Sequence, residues 1–327
     1  MIDISFIVPA YNCSDSISRA VKSIETNNKN INYEILIVEN GSTDNTNSII
    51  EQLAKENKYI KIFHSKKGVS RARNFGIKNA QGKWLFFLDA DDYLIDKIDI
   101  LKNSDLIIWN YKVAQRKKEL SAFIKNIKSS DKIKQTIVHM LNDPTKFMTV
   151  WGKLFNREII EKNKLWFDES VEVGEDSEFL LQYLLKIKTI TFSSKYIYLY
   201  STDNYSTTRS QDIGLIDKYQ RSMRVIWNKS QSLPLDIKQA INGYISINFI
   251  VAVVRGIYVQ KISFWDKDKR MKGYAQRFPF KDAINKLALD KNRNPKLMPI
   301  FLIKYHLSWL ANMIFQIRSL QNKRSNK

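Results

Sequence analysis

The sequence predicts an α/β protein: a Rossmann-like, mostly parallel central sheet followed by a helical C-terminal region. Three observations carry this expectation. Short apolar strands alternate with amphipathic helices over residues 1–95, a pattern that winds strands in parallel with right-handed crossovers. The aromatic run Trp84-Leu-Phe-Phe-Leu88 ends in Asp89, Asp91 and Asp92, and ligands of such sheets gather at the carboxyl ends of strands. Residues 211–327 drop the strand pattern and carry +15 of the net charge of +20.

Each element follows in order. Ile4 to Val8 reads as a strand that stops at Pro9, because proline cannot donate to a ladder. Asn12, Ser14 or Asp15 can cap the next helix, which places Ile17, Ala20, Val21 and Ile24 on one face. Glu34 to Val38 is a second strand, and Ile49, Ile50 and Leu53 mark the core side of a second helix. Tyr59 to Phe63 makes a third strand. Gly68 allows a tight entry to a helix capped by Ser70 and running to about Gly82, its C′ residue. Beyond Asp92, a strand is expected from Ile100 to Val113, with Leu106 to Trp109 buried, and a lysine-rich solvated connection over 114–130. A helix follows at 157–163, another at 177–186, and a strand at Tyr196 to Tyr200.

Composition bounds the rest. A chain of 327 residues with 44% hydrophobic and 12% aromatic content buries a sizeable core. One cysteine, Cys13, excludes an internal disulfide framework and fits a reducing compartment. The chain opens directly on a strand, and no run reaches the ~18 uninterrupted apolar residues of a spanning segment, so a cytoplasmic protein is expected. Residues 300–317 mix aliphatics, Trp309 and Phe315, flanked by Lys296, Lys304, Arg318, Lys323 and Arg324. That mixture suits a helix at an anionic membrane interface, or one packed on the protein's own core or on a partner subunit.

The chemistry starts at Asp89 and Asp91. Separated by Ala90, they project to one side in extended backbone. Crowded carboxylates need a positive neighbour, and a Mg²⁺- or Mn²⁺-type ion binds through one or two carboxylates plus substrate phosphates. Neither a Gly-x-Gly-x-x-Gly nor a Walker A sequence occurs, so phosphate falls to metal and arginine. Arg71 and Arg73 point to different faces of their helix, and Arg73 is the choice for the diphosphate. Glu175 and Asp176 precede the helix expected at 177–186, and acids at a helix N-terminus are ordinary dipole partners. A carboxylate there can also take a proton from a hydroxyl.

Four motifs stand in register: Pro9-Ala-Tyr-Asn12, Val38-Glu-Asn-Gly-Ser-Thr-Asp44, Ser70-Arg-Ala-Arg-Asn74 with Gly76, and Phe87-Leu-Asp-Ala-Asp-Asp92. Their order and spacing resemble family 2 glycosyltransferases, which have the GT-A fold and use nucleotide-activated sugars. The resemblance covers 3–95 closely and reaches to about 210 more loosely. It implies a catalytic domain over 1–210, with a nucleotide-sugar half at 1–95 and an acceptor half at 96–210. The basic helical region 211–327 would follow.

It also implies roles. Pro9, Ala10, Tyr11 and Glu39 would border the nucleobase, with Arg73, Asp89, Ala90 and Asp91 completing the donor site. The family often has aspartates where Glu39 and Asn40 stand, so this chain departs twice. Asp91 would hold Mn²⁺ or Mg²⁺ on the diphosphate, and Asp89 would contact ribose or lie near the metal. Asp176 becomes the candidate base, with Glu175 second, and Trp151, Lys153 and Asp92 would border the acceptor. Ser201 to Ser210 would form a loop closing over the donor, with Arg209 replacing a basic residue that relatives carry near Ser201. The implied reaction is inverting transfer from a nucleotide sugar, UDP-linked by preference, to a saccharide. A lipid-linked intermediate of a bacterial surface polysaccharide such as capsule is the expected acceptor, at the inner face of the membrane. Oligomeric state stays open. A polyprenyl-phosphate sugar synthase is the alternative within the fold. A nucleic-acid-binding protein is the alternative outside it, disfavoured by bases that form no recognised binding module.

Overall fold

Among the described residues, ten strands build one sheet: β1 (Ile4–Ala10), β2 (Tyr33–Glu39), β3 (Ile60–His64), β4 (Trp84–Phe87), β5 (Tyr93–Leu94), β6 (Leu106–Val113), β7 (Arg116–Lys118), β8 (Asn126–Ile127), β9 (Lys153–Asn156) and β10 (Ile190–Tyr200). The computed structural model describes residues 1–101, 103–114, 116–120, 126–201, 214–288 and 294–325. The strand order is β3-β2-β1-β4-β9-β6-β10-β5, with β7 on β6 and β8 on β10. From β3 to β4 all neighbours are parallel. β9 runs antiparallel between β4 and β6, and β10 returns parallel to β6. The GT-A expectation of a mostly parallel sheet with a helical C-terminal region is met.

The parallel half is made by α1 (Ile17–Asn27), α2 (Thr46–Glu56) and α3 (Val69–Asn79). All seven residues of β1 except Pro9 are fully or almost fully buried, as a strand covered on both faces requires. β1 passes through Pro9 and ends at Ala10, two residues beyond the expected end at Val8. The missing donor costs little because β4 pairs only with Ile4 to Ile7. Beyond that point β1 has a neighbour on the β2 side alone, and Asn40 donates its N–H to the Ala10 carbonyl at 3.0 Å.

Helix α3 begins after Gly68, whose φ of +136° favours glycine, and Ser70 is buried inside the helix and does not cap it. α3 lies close on β1 through Gly76, where a Cβ would meet Ile7 Cγ2 at 2.4 Å. Gly82 is needed for a similar reason and does not terminate the helix: its Cβ would stand 2.5 Å from the Ser5 backbone nitrogen. The expected lysine-rich connection over 114–130 contributes two short strands, β7 with three exposed bases and β8.

Later elements are α4 (Ser130–Asn142), α5 (Pro144–Phe147), α6 (Arg157–Lys162) and α7 (Glu175–Leu184). Then follow α8 (Gly214–Ser230), α9 (Leu235–Gly256), α10 (Phe264–Ala275), α11 (Phe280–Lys286), α12 (Met298–Lys304) and α13 (Ser308–Ser325). The chain divides into two compact units. The first comprises Met1–Gln135, Thr145–Glu169 and Glu175–Asn204, the second Thr136–Pro144, Ser170–Gly174 and Tyr205–Lys327. Within the first, Phe87, Phe155, Phe167 and Phe179 form an aromatic core, with Phe167 and Phe179 stacked at 4.1 Å. Each fully buried ring of this kind contributes roughly 1.5–3 kcal/mol.

Two helices of the second unit qualify the sequence reading. The expected single helix over 300–317 is two, broken at 305–307, where His306 adopts φ +63°. α9 interrupts its apolar sequence with Asn242, Ser246 and Asn248, yet by length and average composition it could cross a membrane. Most of it is buried within its own unit.

Candidate active site

Arg73 organises the site. It sits in the first turns of α3 on the buried face, 3% exposed, because α3 turns Ala72, Arg73, Gly76 and Ile77 toward the sheet. Its Nη2 donates to Asp89 Oδ1 at 3.0 Å, and its Nη1 to Asp176 Oδ1 at 2.7 Å and Glu175 Oε1 at 3.2 Å. One guanidinium thus joins carboxylates from the end of β4 and the start of α7. The Phe167 ring lies 5.3 Å from the guanidinium carbon. Arg73 Nε is buried with no hydrogen-bond partner.

This differs from the expectation that Arg73 faces a diphosphate. Both terminal nitrogens are engaged by carboxylates, because α7 delivers two acids to the position where solvent or phosphate was anticipated. Glu175 and Asp176 lie inside the first turn of α7 and do not precede it. Asp176 is 18% exposed, and Val150 donates its N–H to Oδ2 at 3.2 Å. Burial pushes its carboxyl up to about 7, helped by Glu175 and Asp89 and opposed by Arg73. Three carboxylates against one guanidinium leave an excess of negative charge.

The Asp89–Asp92 segment is a turn. Asp92 donates its N–H to the Asp89 carbonyl at 3.0 Å, so Asp89 and Asp91 are not presented by extended backbone as the sequence spacing implied. β4 stops at Phe87 because its partner on the β9 side begins only at Lys153. Ala90 is 7% exposed, packed beneath the turn. The Asp91 carbonyl accepts from Arg19 Nη2 at 3.0 Å, and the same nitrogen donates to Ser201 Oγ at 3.3 Å. Arg19 also covers the Tyr93 ring at 4.7 Å. Nothing local in the sequence marked Arg19, a lone base on an amphipathic helix.

Asp92 is corrected from acceptor binding to fastening. It is fully buried, accepting from Tyr198 Oη at 2.6 Å and from the Ser201 N–H at 2.7 Å. Burial, with Asp89 and Asp91 nearby, raises its carboxyl, and the two donors oppose that shift. No acceptor can reach a side chain with no exposed surface.

Trp151 and Lys153 are likewise interior. Trp151, 7% exposed, stacks on Tyr198 at 4.7 Å and on Tyr200 at 5.6 Å. Lys153 is 1% exposed and donates from Nζ to Thr149 Oγ1 at 3.1 Å. Burial lowers its ammonium to about 7, against the pull of Asp176. The Thr149–Lys153 segment therefore backs Asp176, through Val150 by hydrogen bond and through Lys153 by charge.

The loops after β1 and β2 are tied together. Asn12, at φ +46°, accepts at Oδ1 from the Thr43 N–H at 2.8 Å. Asp44 accepts from the Ser14 N–H at 3.1 Å. Tyr11 follows Pro9 and Ala10 out of the sheet, and Lys67 Nζ donates to its hydroxyl at 2.6 Å while covering its ring. Glu39, 5% exposed, accepts from the backbone N–H groups of Gly41 and Ser42. Its other oxygen lies 3.4 Å from His64 Nδ1, and backbone donors hold the carboxyl below its ordinary value against burial. Asn40 Oδ1 is buried without a partner. The loop at 201–210, with Arg209, lies outside the described residues beyond Ser201.

A divalent cation is tested by its donors. Among the described residues no group of three or more His, Cys, Asp or Glu is arranged to hold a metal. Asp89 and Asp91 on one turn, with Asp89 Oδ1 already on Arg73, fit an ion completed by a ligand's phosphates better than a protein cage.

A mostly parallel sheet with an aspartate turn at the end of β4 and helices on its faces has the GT-A architecture. Residues 5–163 match the family model for glycosyl transferase family 2, so this stretch carries a family 2 glycosyltransferase domain. It is 23% identical to the uncharacterized glycosyltransferase EpsJ of Bacillus subtilis, over 96% of both chains. To the poly(ribitol-phosphate) beta-N-acetylglucosaminyltransferase TarP of Staphylococcus aureus it is also 23% identical, over 90% of this chain and 91% of that one. In fold it resembles residues 1–349 of S. aureus TarS, crystallised with UDP-GlcNAc. The TM-score there is 0.66 at 19% identity, over 98% of this chain and 92% of that one.

Proposed function

We propose that the protein is an inverting transferase that moves one sugar from a UDP-sugar to a saccharide acceptor. The acceptor is a lipid-linked intermediate of a surface polysaccharide, met at the inner face of the membrane. The observation that carries this reading is Asp176, a partly open carboxylate with a raised proton affinity, held by Arg73 and the Val150 N–H. A base working near neutrality needs such an affinity.

The acceptor hydroxyl attacks the anomeric carbon, and its proton passes to Asp176. The bond from that carbon to the diphosphate oxygen breaks, and the electron pair leaves with the nucleotide. Displacement from one side inverts the centre, so an α-linked donor gives a β-linked product. Arg73 fixes Asp176 relative to the aspartate turn, which is the positioning that makes such a step effectively intramolecular. Asp91 and Asp89 would hold a divalent cation, which supplies charge neutralisation for the departing diphosphate. Glu39, Tyr11 and the loop carrying Asn40 border the base. The names of TarP and of the TarS complex support a UDP-linked hexosamine or hexose. The charge of +15 on residues 211–327 supports a site of action at anionic lipid.

The test is calorimetric binding of UDP, GDP and CMP, with and without Mn²⁺, to wild type and Asp91→Ala. Metal-dependent UDP binding that Asp91→Ala abolishes is expected. Preference for GDP overturns the donor class, and metal-independent UDP binding overturns the cation.

A further inference from the structure

We infer that the exposed face of α13, with the break that precedes it, is a lipid-docking surface whose contact residues are Tyr305, Leu307, Trp309, Met313, Ile317 and Leu320. This deepens the membrane reading above and rests on it for its biological setting, but not for its physics.

α13 has two unlike faces. Ser308, Ala311, Asn312, Phe315 and Ser319 are buried against the rest of the unit. Asn312 donates to the Phe264 carbonyl at 2.9 Å and Ser319 to the Tyr258 carbonyl at 3.1 Å, so this inward face is a fixed one. On the other side, Trp309, Met313, Ile317 and Leu320 recur every third or fourth residue and are each about half exposed, at 48%, 47%, 54% and 53%. A helix facing water carries polar groups there. Among the described residues, seven of the fourteen exposed large hydrophobic side chains fall within 298–320. Contiguous exposed apolar surface of that kind marks an interaction site.

Charge selects the occupant. From Lys291 to Lys327 the sequence has eight Lys or Arg and no Asp or Glu. A second copy apposed on this segment would bring two basic, acid-free stretches together, which costs stability, whereas anionic headgroups neutralise them. Tyr305 and Trp309 offer rings with one polar atom at the edge of the stripe, the combination that settles at a membrane–water boundary. Met313, Ile317 and Leu320 are the side chains for the acyl region. Because α9 is mostly buried in its own unit, lipid contact falls to this surface helix, lying in the interface plane.

The experiment is co-sedimentation of the full chain with vesicles of phosphatidylglycerol and phosphatidylethanolamine, and with phosphatidylcholine vesicles. Wild type is compared with Met313→Gln/Ile317→Gln and with Leu235→Gln, an exposed apolar residue outside the stripe. Oligomeric state is followed by analytical ultracentrifugation, and UDP binding reports that each variant is folded. Wild type should prefer the anionic vesicles, and the double variant should bind them about tenfold more weakly or worse, with Leu235→Gln unchanged. Equal binding by the double variant overturns the proposal. So does a wild-type oligomer that the double variant dissolves, which would assign the face to a second copy. Should Met313→Gln/Ile317→Gln lose UDP binding, Trp309→Gln gives the same comparison. Wild type that binds vesicles but no nucleotide would sink the donor reading and leave this one standing.

Discussion

The turn after β4 and the first turn of α7 each contain a carboxyl whose proton affinity burial raises, yet their surroundings differ. Asp92 has no exposed surface and two neutral donors, a tyrosine hydroxyl and a backbone N–H. Asp176 keeps 18% exposure and has a buried guanidinium at 2.7 Å. Under the proposed mechanism, in which Asp176 is the base and Asp92 is not, desolvation alone does not make a reactive group. What separates them is a residual opening to solvent and a cation that holds the ionised form in place while burial keeps it basic.

The largest test of that contrast is Asp176→Asn. An isosteric amide keeps the shape but cannot take a proton, so kcat/KM should fall about 10²–10⁴-fold. Calorimetric UDP binding should change little. A loss below tenfold would mean that another group accepts the proton.

Removing the cation is the next test. Arg73→Met leaves three carboxylates sharing a pocket without their counter-charge, and breaking such a buried arrangement costs about 3–5 kcal/mol in urea unfolding. The partly open carboxylates Asp89 and Asp176 place the expected loss at the low end of that range. Activity adds a second readout. The ionised base is the active form, so in wild type kcat/KM drops as pH falls through about 7. Arg73 pulls that value down, and so in Arg73→Lys, where a single ammonium replaces the fork, the acid limb should move to higher pH. An unmoved limb would assign it to a group other than Asp176.

Asp92→Asn should be the mildest. Its Oδ1 can keep the Ser201 N–H while its Nδ2 donates to the Tyr198 hydroxyl, whose own buried proton then loses its acceptor at about 1–3 kcal/mol. Thermal unfolding should register that loss while the pH limb stays put. A shift of the limb would show that Asp92 shares the base's titration and would erase the distinction between the two turns.

Much of the parallel half was legible from sequence because local rules and fold agree there. β1, β2 and β4 are short apolar runs ended by turn chemistry, and their burial follows directly. The readings that failed were about direction. Spacing placed Asp89 and Asp91 on one side of a strand, but β4 ends too early and a turn takes over. Ser70 looked like a cap because serine before a periodic run does cap helices, and only the packing of α3 on β1 turns it inward. Trp151, Lys153 and Asp92 carried polar or aromatic chemistry in the right segment, and chemistry by itself does not say which way a side chain faces.

By itself, then, the amino-acid order determined the alternation of strands and helices, the aspartate-ended strand, the acidic helix start and the basic, acid-free tail. These depend on periodicity, capping and charge within a few residues of each other. Tertiary structure alone decided that Arg73 meets Asp89, Glu175 and Asp176, that Arg19 reaches the Asp91 carbonyl, and that α13 leaves an apolar stripe outside. Those pairings join positions up to 103 residues apart, where no local preference acts and the geometry of the sheet sets the distance.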